Sequence, residues 1–332
     1  MNDARVNPVI REETVNYYYY LGLIRAKQRV VAFQHAIRSS VRPGDVVVEI
    51  GSGLGTYSFF AASSGAKHVY AIERERVIDI AEELAARNGL AQKITFVRSD
   101  STEAVLQEKG DVLIIEDFSS LFLRRGLEEL VRDATDRHLK DGAIIIPRAV
   151  SLWLAPVGDA ALWKALLNLE EDNYHLYGFD WRLLRQMMLE SPHVRKVDPG
   201  ALLAEPRAFK TVDLKQSQPY VFDEICTFET LRSGTMYGLA GWFDLELTSD
   251  VFLSNAPTND ESVWRQVFFP FSNPLAVTRG DAVSVRLSCV RSVRTHDIWW
   301  TWQTRTASGA SSNSSFQGIP LRTSQLAAAE TL

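Results

Sequence analysis

A short apolar strand that runs directly into a glycine-rich turn is the feature that most constrains this chain. The strand reads V-V-V-E-I at residues 46–50, and the turn reads G-S-G-L-G at residues 51–55. Glycines at such a turn let the backbone approach a ligand closely and present free N–H groups to it. The sequence therefore predicts a nucleotide-type binding turn between a strand and a helix over about 56–64.

The segments that follow alternate between strands and helices. Apolar runs predict strands at 67–72, 94–98, 111–115 and 143–146. Helical spacing of apolar residues predicts helices at 20–39, 76–88 and 123–138. This alternation is typical of a parallel sheet that is covered by helices on both faces.

Past Pro147 the sequence changes to short alternating runs separated by turn residues, which favour antiparallel strands. These runs lie at 209–214, 228–231, 238–247, 263–269, 282–289 and 298–304. We therefore expect an α/β Rossmann-like domain followed by an antiparallel β-barrel-like domain. The expected divisions are an N-terminal helical segment over 1–40 that covers the ligand, the Rossmann-like domain over 41–150, the barrel-like domain over 151–305 and a flexible tail over 306–332.

The composition argues against several classes of protein. The net charge of -5 is spread along the chain without a long basic run, so no nucleic-acid partner is expected. Two cysteines and six histidines without ligand spacing predict no metal site. The polar N-terminal segment lacks the apolar block of a signal peptide, and no apolar stretch approaches the roughly 18 residues that span a bilayer. A cytoplasmic protein without membrane contact is expected.

Acidic residues stand at the ends of three of the predicted strands. Glu49 directly precedes the glycine turn, Glu73 ends the second strand and Asp100 closes the third, followed by Ser101. In doubly wound folds the acid after the second strand accepts hydrogen bonds from the ribose hydroxyls. Asp100 and Ser101 fall where an adenine amino group is expected. The glycine spacing disfavours a nicotinamide cofactor, and the lack of G-K-[ST] excludes a P-loop.

These residues resemble the protein arginine methyltransferase family, over residues 17–305. The likeness is carried by V-V-V-E-I-G-S-G-L-G and by F-A-A-S-S-G-A-K-H-V-Y-A-I-E. It implies S-adenosylmethionine as cofactor and S-adenosylhomocysteine as product. It also implies Glu49 near the methionine amine or the first-glycine loop, Glu73 on the ribose and Arg29 on the carboxylate. The expected cofactor-binding residues are Arg29, Glu49, Gly51, Gly53, Gly55, Glu73, Asp100 and Ser101.

Segments of the second half match the same family. They are Y-G-F-D at 177–180, G-L-A-G-W-F-D-L-E-L at 238–247 and S-V-W-R-Q at 262–266, which resembles the family's T-H-W-x-Q loop beside the acceptor. The family works as a dimer through an arm before the barrel, which implies a homodimer or higher homo-oligomer with an arm at about 170–200. The apolar residues over 181–198 suit either such an arm or a helix packed on its own core.

The loop after the fourth strand, residues 115–125, which we call the acceptor loop, departs from the family. The family holds a guanidinium with two glutamates, because its paired N–H donors call for two carboxylates. Glu116 falls on the first position and Arg125 on or beside the second, while Asp117 is placed to compensate in part. Glu128 and Glu129, on the following helix, either turn inward or face solvent, and their place on a helix favours the solvent-facing position.

A retained methyl donor with a changed acceptor follows from these departures. Methyl transfer needs a nucleophile held about 3 Å from the methyl group and one well-placed base, a role that Glu116 and Asp117 can fill. In the second loop Val263 replaces the family's histidine. The expected acceptor-pocket residues are Phe118, Phe122, Arg125, Val263 and Trp264.

The aromatic side chains of this set suit a flat apolar acceptor. The sequence therefore predicts an S-adenosylmethionine-dependent methyltransferase that acts on a small molecule or short peptide, for example at a nitrogen or an activated carbon of an indole-type heteroaromatic. The alternative is a protein or peptide arginine N-methyltransferase. A third possibility is a binding module that has kept the cofactor pocket without activity.

Overall fold

The first half of the chain folds around a five-stranded parallel sheet with the strand order β3-β2-β1-β4-β5. The computed structural model describes residues 15–167, 175–216, 219–292 and 297–315. The strands of this sheet are β1 (Val46–Ile50), β2 (His68–Glu73), β3 (Ile94–Arg98), β4 (Gly110–Ile115) and β5 (Leu139–Ile146). All five residues of β1 are buried, as the continuous apolar run predicts for a central parallel strand.

Five helices accompany this sheet. They are α1 (Tyr17–Arg25), α2 (Lys27–Ser40), α3 (Thr56–Ser63), α4 (Val77–Arg87) and α5 (Leu127–His138). The helix predicted over 20–39 is in fact two helices, because Ala26 leaves the helical region with a ψ of 69°. This break leaves backbone carbonyls at the end of α1 available to side chains of α2.

The second half consists of antiparallel strands in two main sheets, as the alternating runs predict. The larger has the order β10-β6-β12-β14-β9, with β13 paired to β12, and the smaller has the order β11-β15-β16-β17. The strands are β6 (Ala149–Val157), β7 (His175–Leu176), β8 (Phe179–Asp180), β9 (His193–Arg195), β10 (Arg207–Asp213), β11 (Phe222–Glu229), β12 (Gly234–Glu246), β13 (Phe252–Ser254), β14 (Gln266–Val277), β15 (Ala282–Arg291), β16 (Ile298–Thr306) and β17 (Gly309–Ser314). Between β6 and β9 lie the helices α6 (Ala160–Leu167) and α7 (Arg182–Leu189).

The expected flexible tail over 306–332 needs a correction. Residues 309–314 form β17, which pairs with β16, and residues 316–332 lie outside the described part of the chain. Polar side chains on one face of β17 are buried and bonded inside the fold, for example Asn313, whose Nδ2 donates to Ser272 Oγ at 2.6 Å. The sequence pattern did not indicate this strand, because its buried side chains are polar and hydrogen-bonded and so show no apolar alternation.

Candidate functional site

A large cleft lies at the carboxyl ends of β1, β2, β3 and β4, and it is also lined by α1, α2 and the loop before β14. Its volume is about 1270 Å³. The expected site residues that line it are Arg29, Glu49, Gly51, Gly53, Glu73, Asp100, Ser101, Glu116, Asp117, Phe118, Arg125, Val263 and Trp264. Open α/β sheets bind ligands at this edge, next to the strand where the order reverses. The structure thus brings most residues of both predicted sets to one cleft.

Gly55 and Phe122 are not part of the cleft lining. Gly55 precedes α3 with a φ of 75°, and a Cβ there would lie 3.1 Å from the ring of Phe59. Phe122 is fully buried, with its ring centroid 5.4 Å from that of Phe118. Phe122 therefore packs in the core against Phe118, which does line the cleft. The assignment of Phe122 to the acceptor pocket is wrong.

The glycine turn holds Glu73 in a fixed orientation. Gly53, with a φ of 52°, donates its N–H to Glu73 Oε2 at 3.0 Å, and Glu75 donates its N–H to Oε1 at 2.9 Å. Each carboxylate oxygen keeps a further lone pair for a ligand. The positive φ favours glycine at position 53, and a Cβ there would make a tight contact of 3.3 Å with the Tyr20 ring of α1.

Glu49 lies behind the turn in a fully buried setting. Ser58 on α3 donates its hydroxyl to Glu49 Oε2. Burial raises the pKa of Glu49 to about 8, against the lowering effect of this hydrogen bond. A cationic ligand group beside Glu49 would favour its ionised form.

Three buried polar atoms of the cleft residues lack a hydrogen-bond partner among the residues that the structure describes. They are Arg29 Nε, Ser52 Oγ and Tyr57 Oη. Buried polar groups are nearly always bonded, so each unpaired atom calls for an explanation. All three belong to residues that line the cleft, so a polar ligand bound there would supply partners for them. Sequence reasoning missed Ser52 and Tyr57 as candidate ligand contacts.

The loop after β3 carries Asp100 and Ser101 to the cleft. Asp100 Oδ1 accepts from the N–H and the hydroxyl of Thr102 at 3.0 and 2.8 Å, which lowers its pKa and keeps it charged. The carbonyl of Ser101 accepts from Arg137 Nη2 at 2.6 Å and from His138 Nε2 at 2.9 Å. The end of α5 therefore fixes this loop, through two residues that the sequence did not single out.

Arg29 and Glu116 form the central charged pair of the cleft. Arg29, only 5% exposed, donates from Nη1 to Glu116 Oε2 at 2.6 Å and from Nη2 to the Leu23 carbonyl at 2.6 Å. The break at Ala26 makes that carbonyl available. The guanidinium carbon lies 5.8 Å from the ring centroid of Trp264, within cation–π range. Burial raises the pKa of Glu116 to about 7, although Arg29 opposes this shift.

Asp117 and Arg125, the other two charged residues expected to act on the acceptor, are both bound by or close to charges of the chain itself. Asp117 Oδ2 is bound by Arg124 Nη2 at 2.5 Å. The side chain of Arg125 is 67% exposed, with Nη1 3.6 Å from Asp297 Oδ1. Glu129 is only 24% exposed, lines the cleft and is bound by Arg291.

Glu128 is also mostly buried, and its Oε2 accepts from the Tyr220 N–H at 3.1 Å. The expectation that Glu128 and Glu129 face solvent is therefore wrong, because the first turn of α5 contacts the barrel half of the chain.

A segment of residues 255–265, which we call the barrel loop, contacts both the acceptor loop and α2. Asn255 Nδ2 donates to the carbonyl of Ser120 in the acceptor loop at 2.8 Å. Asn259 and Gln28 exchange amide hydrogen bonds of 2.9 and 3.2 Å, which fasten the loop to α2 beside Arg29. Trp264 stacks on Phe118 with ring centroids 5.5 Å apart. No sequence pattern signalled these amide contacts.

No helix within the described ranges is long and apolar enough to cross a bilayer. The same ranges hold no group of three or more His, Cys, Asp or Glu residues that could bind a metal ion.

Comparison with known proteins gives consistent matches. The family model of the arginine methyltransferase oligomerization subdomain matches residues 148–307. The chain is 30% identical over 310 residues to the probable histone-arginine methyltransferase CARM1 of Oryza sativa subsp. indica, covering 86% of this chain and 58% of that protein. It is 28% identical over 333 residues to protein arginine N-methyltransferase PRMT10 of Oryza sativa subsp. japonica, covering 89% and 88%. The chain thus spans less than two thirds of the CARM1 relative.

Two solved structures resemble the fold. A chain of the Trypanosoma brucei PRMT1 enzyme–prozyme heterotetrameric complex with AdoHcy has a TM-score of 0.81 and 19% identity, over 90% of this chain and 98% of that one. Arabidopsis thaliana protein arginine methyltransferase 10 has a TM-score of 0.77 and 21% identity, over the same shares. The predicted fold, a Rossmann-like domain followed by a barrel-like domain, is confirmed.

The expectation of a small-molecule or short-peptide acceptor is wrong. The relatives found are named as arginine methyltransferases, among them histone-arginine methyltransferases. The argument for a changed acceptor depended on Arg125 reversing the charge of the pocket. That argument loses its force because the Arg125 side chain is mostly in solvent and lies close to an acid, Asp297.

Proposed function

The chain belongs to the protein arginine methyltransferase-like family of S-adenosylmethionine-dependent methyltransferases, and on that premise we propose that it transfers the methyl group of S-adenosylmethionine to arginine side chains of proteins. The observation that carries the proposal is the buried carboxylate of Glu116, which lies in the same cleft as the glycine turn and Glu73. A carboxylate in that position can bind a guanidinium beside the cofactor.

The residues of the cleft fit such a cofactor. Glu73 offers two oriented acceptors for ribose hydroxyls, and Asp100 with Ser101 suits the adenine end. The unpaired Nε–H of Arg29 suits the cofactor carboxylate, and Glu49 suits its ammonium group. When bound, the cofactor supplies an electrophilic methyl group on a sulfonium. A structural neighbour that carries AdoHcy supports this choice.

Glu116 would serve the acceptor. Its carboxylate would bind the guanidinium and orient one nitrogen toward the methyl group. One N–H proton must leave that nitrogen as the new C–N bond forms, and Glu116 can accept it. A pKa raised to about 7 suits a group that must take up a proton near neutral pH. Phe118 and Trp264 form an aromatic wall that limits the movement of a planar cation and excludes water.

We also propose that the chain assembles with copies of itself through the segment of residues 175–189. This segment presents large apolar side chains to solvent at Tyr177, Phe179, Leu183 and Leu184, with Tyr177 90% exposed. Exposed apolar patches of this kind mark interfaces, and the matched oligomerization subdomain supports this assignment. Replacing Leu183 and Leu184 by Glu should shift the mass measured by light scattering toward a single chain. A cytoplasmic location stays a prediction of the sequence.

The test of the activity is transfer of isotope-labelled methyl groups. The protein is incubated with labelled S-adenosylmethionine and with histones or arginine-rich peptides, and matched peptides with lysine for arginine serve as controls. Mass spectrometry should locate the label on arginine alone. AdoHcy binding by calorimetry without transfer to any member of the panel would instead indicate a binding module that has lost catalysis.

A further inference from the structure

We propose that Glu129 is the second acceptor-binding carboxylate of the cleft and replaces the acid that the acceptor loop lacks at Arg125. This inference rests on the proposed function, because it concerns how the same site would hold a guanidinium. It assigns the role to a residue of α5 rather than to the acceptor loop.

A second carboxylate is needed because Glu116 alone does not match the donors of a guanidinium. A guanidinium presents paired N–H donors and is held best by two carboxylates. Glu116 carries one strong contact from Arg29 at 2.6 Å. Asp117 is less suited to the task, because its side chain is 53% exposed, whereas that of Glu129 is 24% exposed.

The position of Glu129 suits this task. It lies four residues after Arg125, at the first turn of α5, and both residues line the same cleft as Glu116. The side chain of Arg125 is mostly exposed beside Asp297, whereas that of Glu129 is mostly buried. The cleft therefore contains the carboxylate of Glu129 four residues after Arg125, the residue that stands where the family has its second glutamate. The positive end of the α5 dipole also favours a negative charge at Glu129.

Arg291 on β15 fixes the orientation of this carboxylate. Its Nη1 donates to Glu129 Oε1, so the Glu129 side chain already binds a guanidinium of its own chain. Glu128 provides the contrast, because it belongs to the same helical turn and also lies 3.8 Å from Arg291. Unlike Glu129, Glu128 is directed to the Tyr220 backbone and does not line the large cleft.

The test compares Glu129→Gln with Glu128→Gln as a matched control. An arginine-containing peptide is titrated by calorimetry into the full chain saturated with AdoHcy. The KM of the same peptide is measured in the methyl-transfer assay. Loss of one carboxylate from a guanidinium site should weaken peptide binding and raise its KM by about tenfold or more in Glu129→Gln. In Glu128→Gln both values should stay within about twofold, and AdoHcy affinity should be unchanged in both variants.

A purely structural role for Glu129 gives a different outcome. Loss of its ion pair with Arg291 would then lower the thermal unfolding midpoint but leave peptide affinity and KM as in the wild type. That result would overturn the inference about Glu129. The proposed function would still hold if the wild type transferred methyl groups to arginine. A wild-type protein that neither binds nor methylates arginine peptides would overturn the proposed function, and this inference with it. Peptides with lysine for arginine add a check, since Glu129→Gln should reduce the preference for arginine.

Discussion

Arg29 donates to Glu116 at 2.6 Å, so the residue proposed to hold the cofactor carboxylate is bound to the residue proposed to hold the acceptor. Both side chains are largely buried, at 6% and 16% exposure. With cofactor bound, the single positive charge of Arg29 would be shared between Glu116 and the cofactor carboxylate. A cofactor carboxylate that engages Arg29 therefore weakens its hold on Glu116 and makes Glu116 available to a guanidinium. The two ligand sites are coupled through this pair.

The first prediction is positive coupling between cofactor and acceptor. AdoHcy should tighten binding of an arginine peptide by about fivefold or more, and by linkage the peptide should tighten AdoHcy by the same factor. Calorimetric titrations of each ligand in the presence and absence of the other measure both factors. An analogue of AdoHcy without the carboxylate is the control and should produce much weaker coupling. Equal coupling with both compounds would refute a role for the Arg29–Glu116 contact.

The second prediction concerns Glu116 as proton acceptor. Glu116→Gln keeps the shape of the side chain but removes its charge and basicity, so turnover should fall by about a thousandfold or more. AdoHcy affinity should not fall, because Arg29 is then released from Glu116 for the cofactor carboxylate. In the wild type kcat/KM should rise with pH through about 7, because Glu116 accepts a proton only when ionised and its pKa is raised to about 7. Full activity of Glu116→Gln would rule out the proposed role.

The parts of this site that a sequence can predict are those set by local order. The run at 46–55 and the acids after successive strands follow from the alternation of strands and helices, because parallel strands bring their carboxyl ends to one edge. Gly51, Gly53, Glu73 and Asp100 are accordingly all found in the cleft lining.

Partners that are distant in the chain could not be predicted in this way. The pairing of Glu129 with Arg291 and of Gln28 with Asn259 joins residues that are 162 and 231 positions apart. Such pairs leave no periodic trace in the sequence. The direction of the Arg125 side chain depends likewise on Asp297, a residue of the distant barrel half. The wrong acceptor expectation arose from this lack of tertiary information.

The third prediction is a pH dependence of stability caused by Glu49. Its pKa in the folded protein is about 8, against an ordinary value of 4.5. The folded state therefore keeps a proton that the unfolded state has lost, and the free energy of unfolding should decrease as the pH rises from about 4.5 to 8. Each pKa unit corresponds to about 1.4 kcal/mol, so the decrease should amount to a few kcal/mol.

Glu49→Gln provides the comparison, because glutamine can still accept the Ser58 hydrogen bond but does not ionise. Urea unfolding at pH 5.5 and pH 8 should show a smaller difference for this variant than for the wild type. The same pH difference in both proteins would show that another group causes it.

The fourth prediction tests the amide pair that fastens the barrel loop to α2. Gln28→Ala and Asn259→Ala each remove two reciprocal hydrogen bonds and loosen the loop that carries Trp264. Each variant should raise the KM of the acceptor by about three- to tenfold, and the double variant should be little worse than either single one. The exchanged pair Gln28→Asn with Asn259→Gln should recover part of the loss. Additive effects would show that the two amides do not act together.

The fifth prediction separates backbone strain from ligand contact at the glycine turn. Gly53 and Gly44 both have positive φ, 52° and 98°, so alanine is strained at either position and should lower the free energy of unfolding by on the order of 1 kcal/mol. Only at Gly53 does the added Cβ meet a neighbour, the Tyr20 ring at 3.3 Å, and only Gly53 lines the cleft. Gly53→Ala should therefore weaken AdoHcy binding by about tenfold or more, while Gly44→Ala leaves it unchanged.

Because Gly53 also donates its N–H to Glu73, a displaced turn would disturb the acid proposed to bind the ribose. Equal AdoHcy affinities in the two variants would mean that the turn does not contact the cofactor, and the location proposed for the cofactor would have to be abandoned.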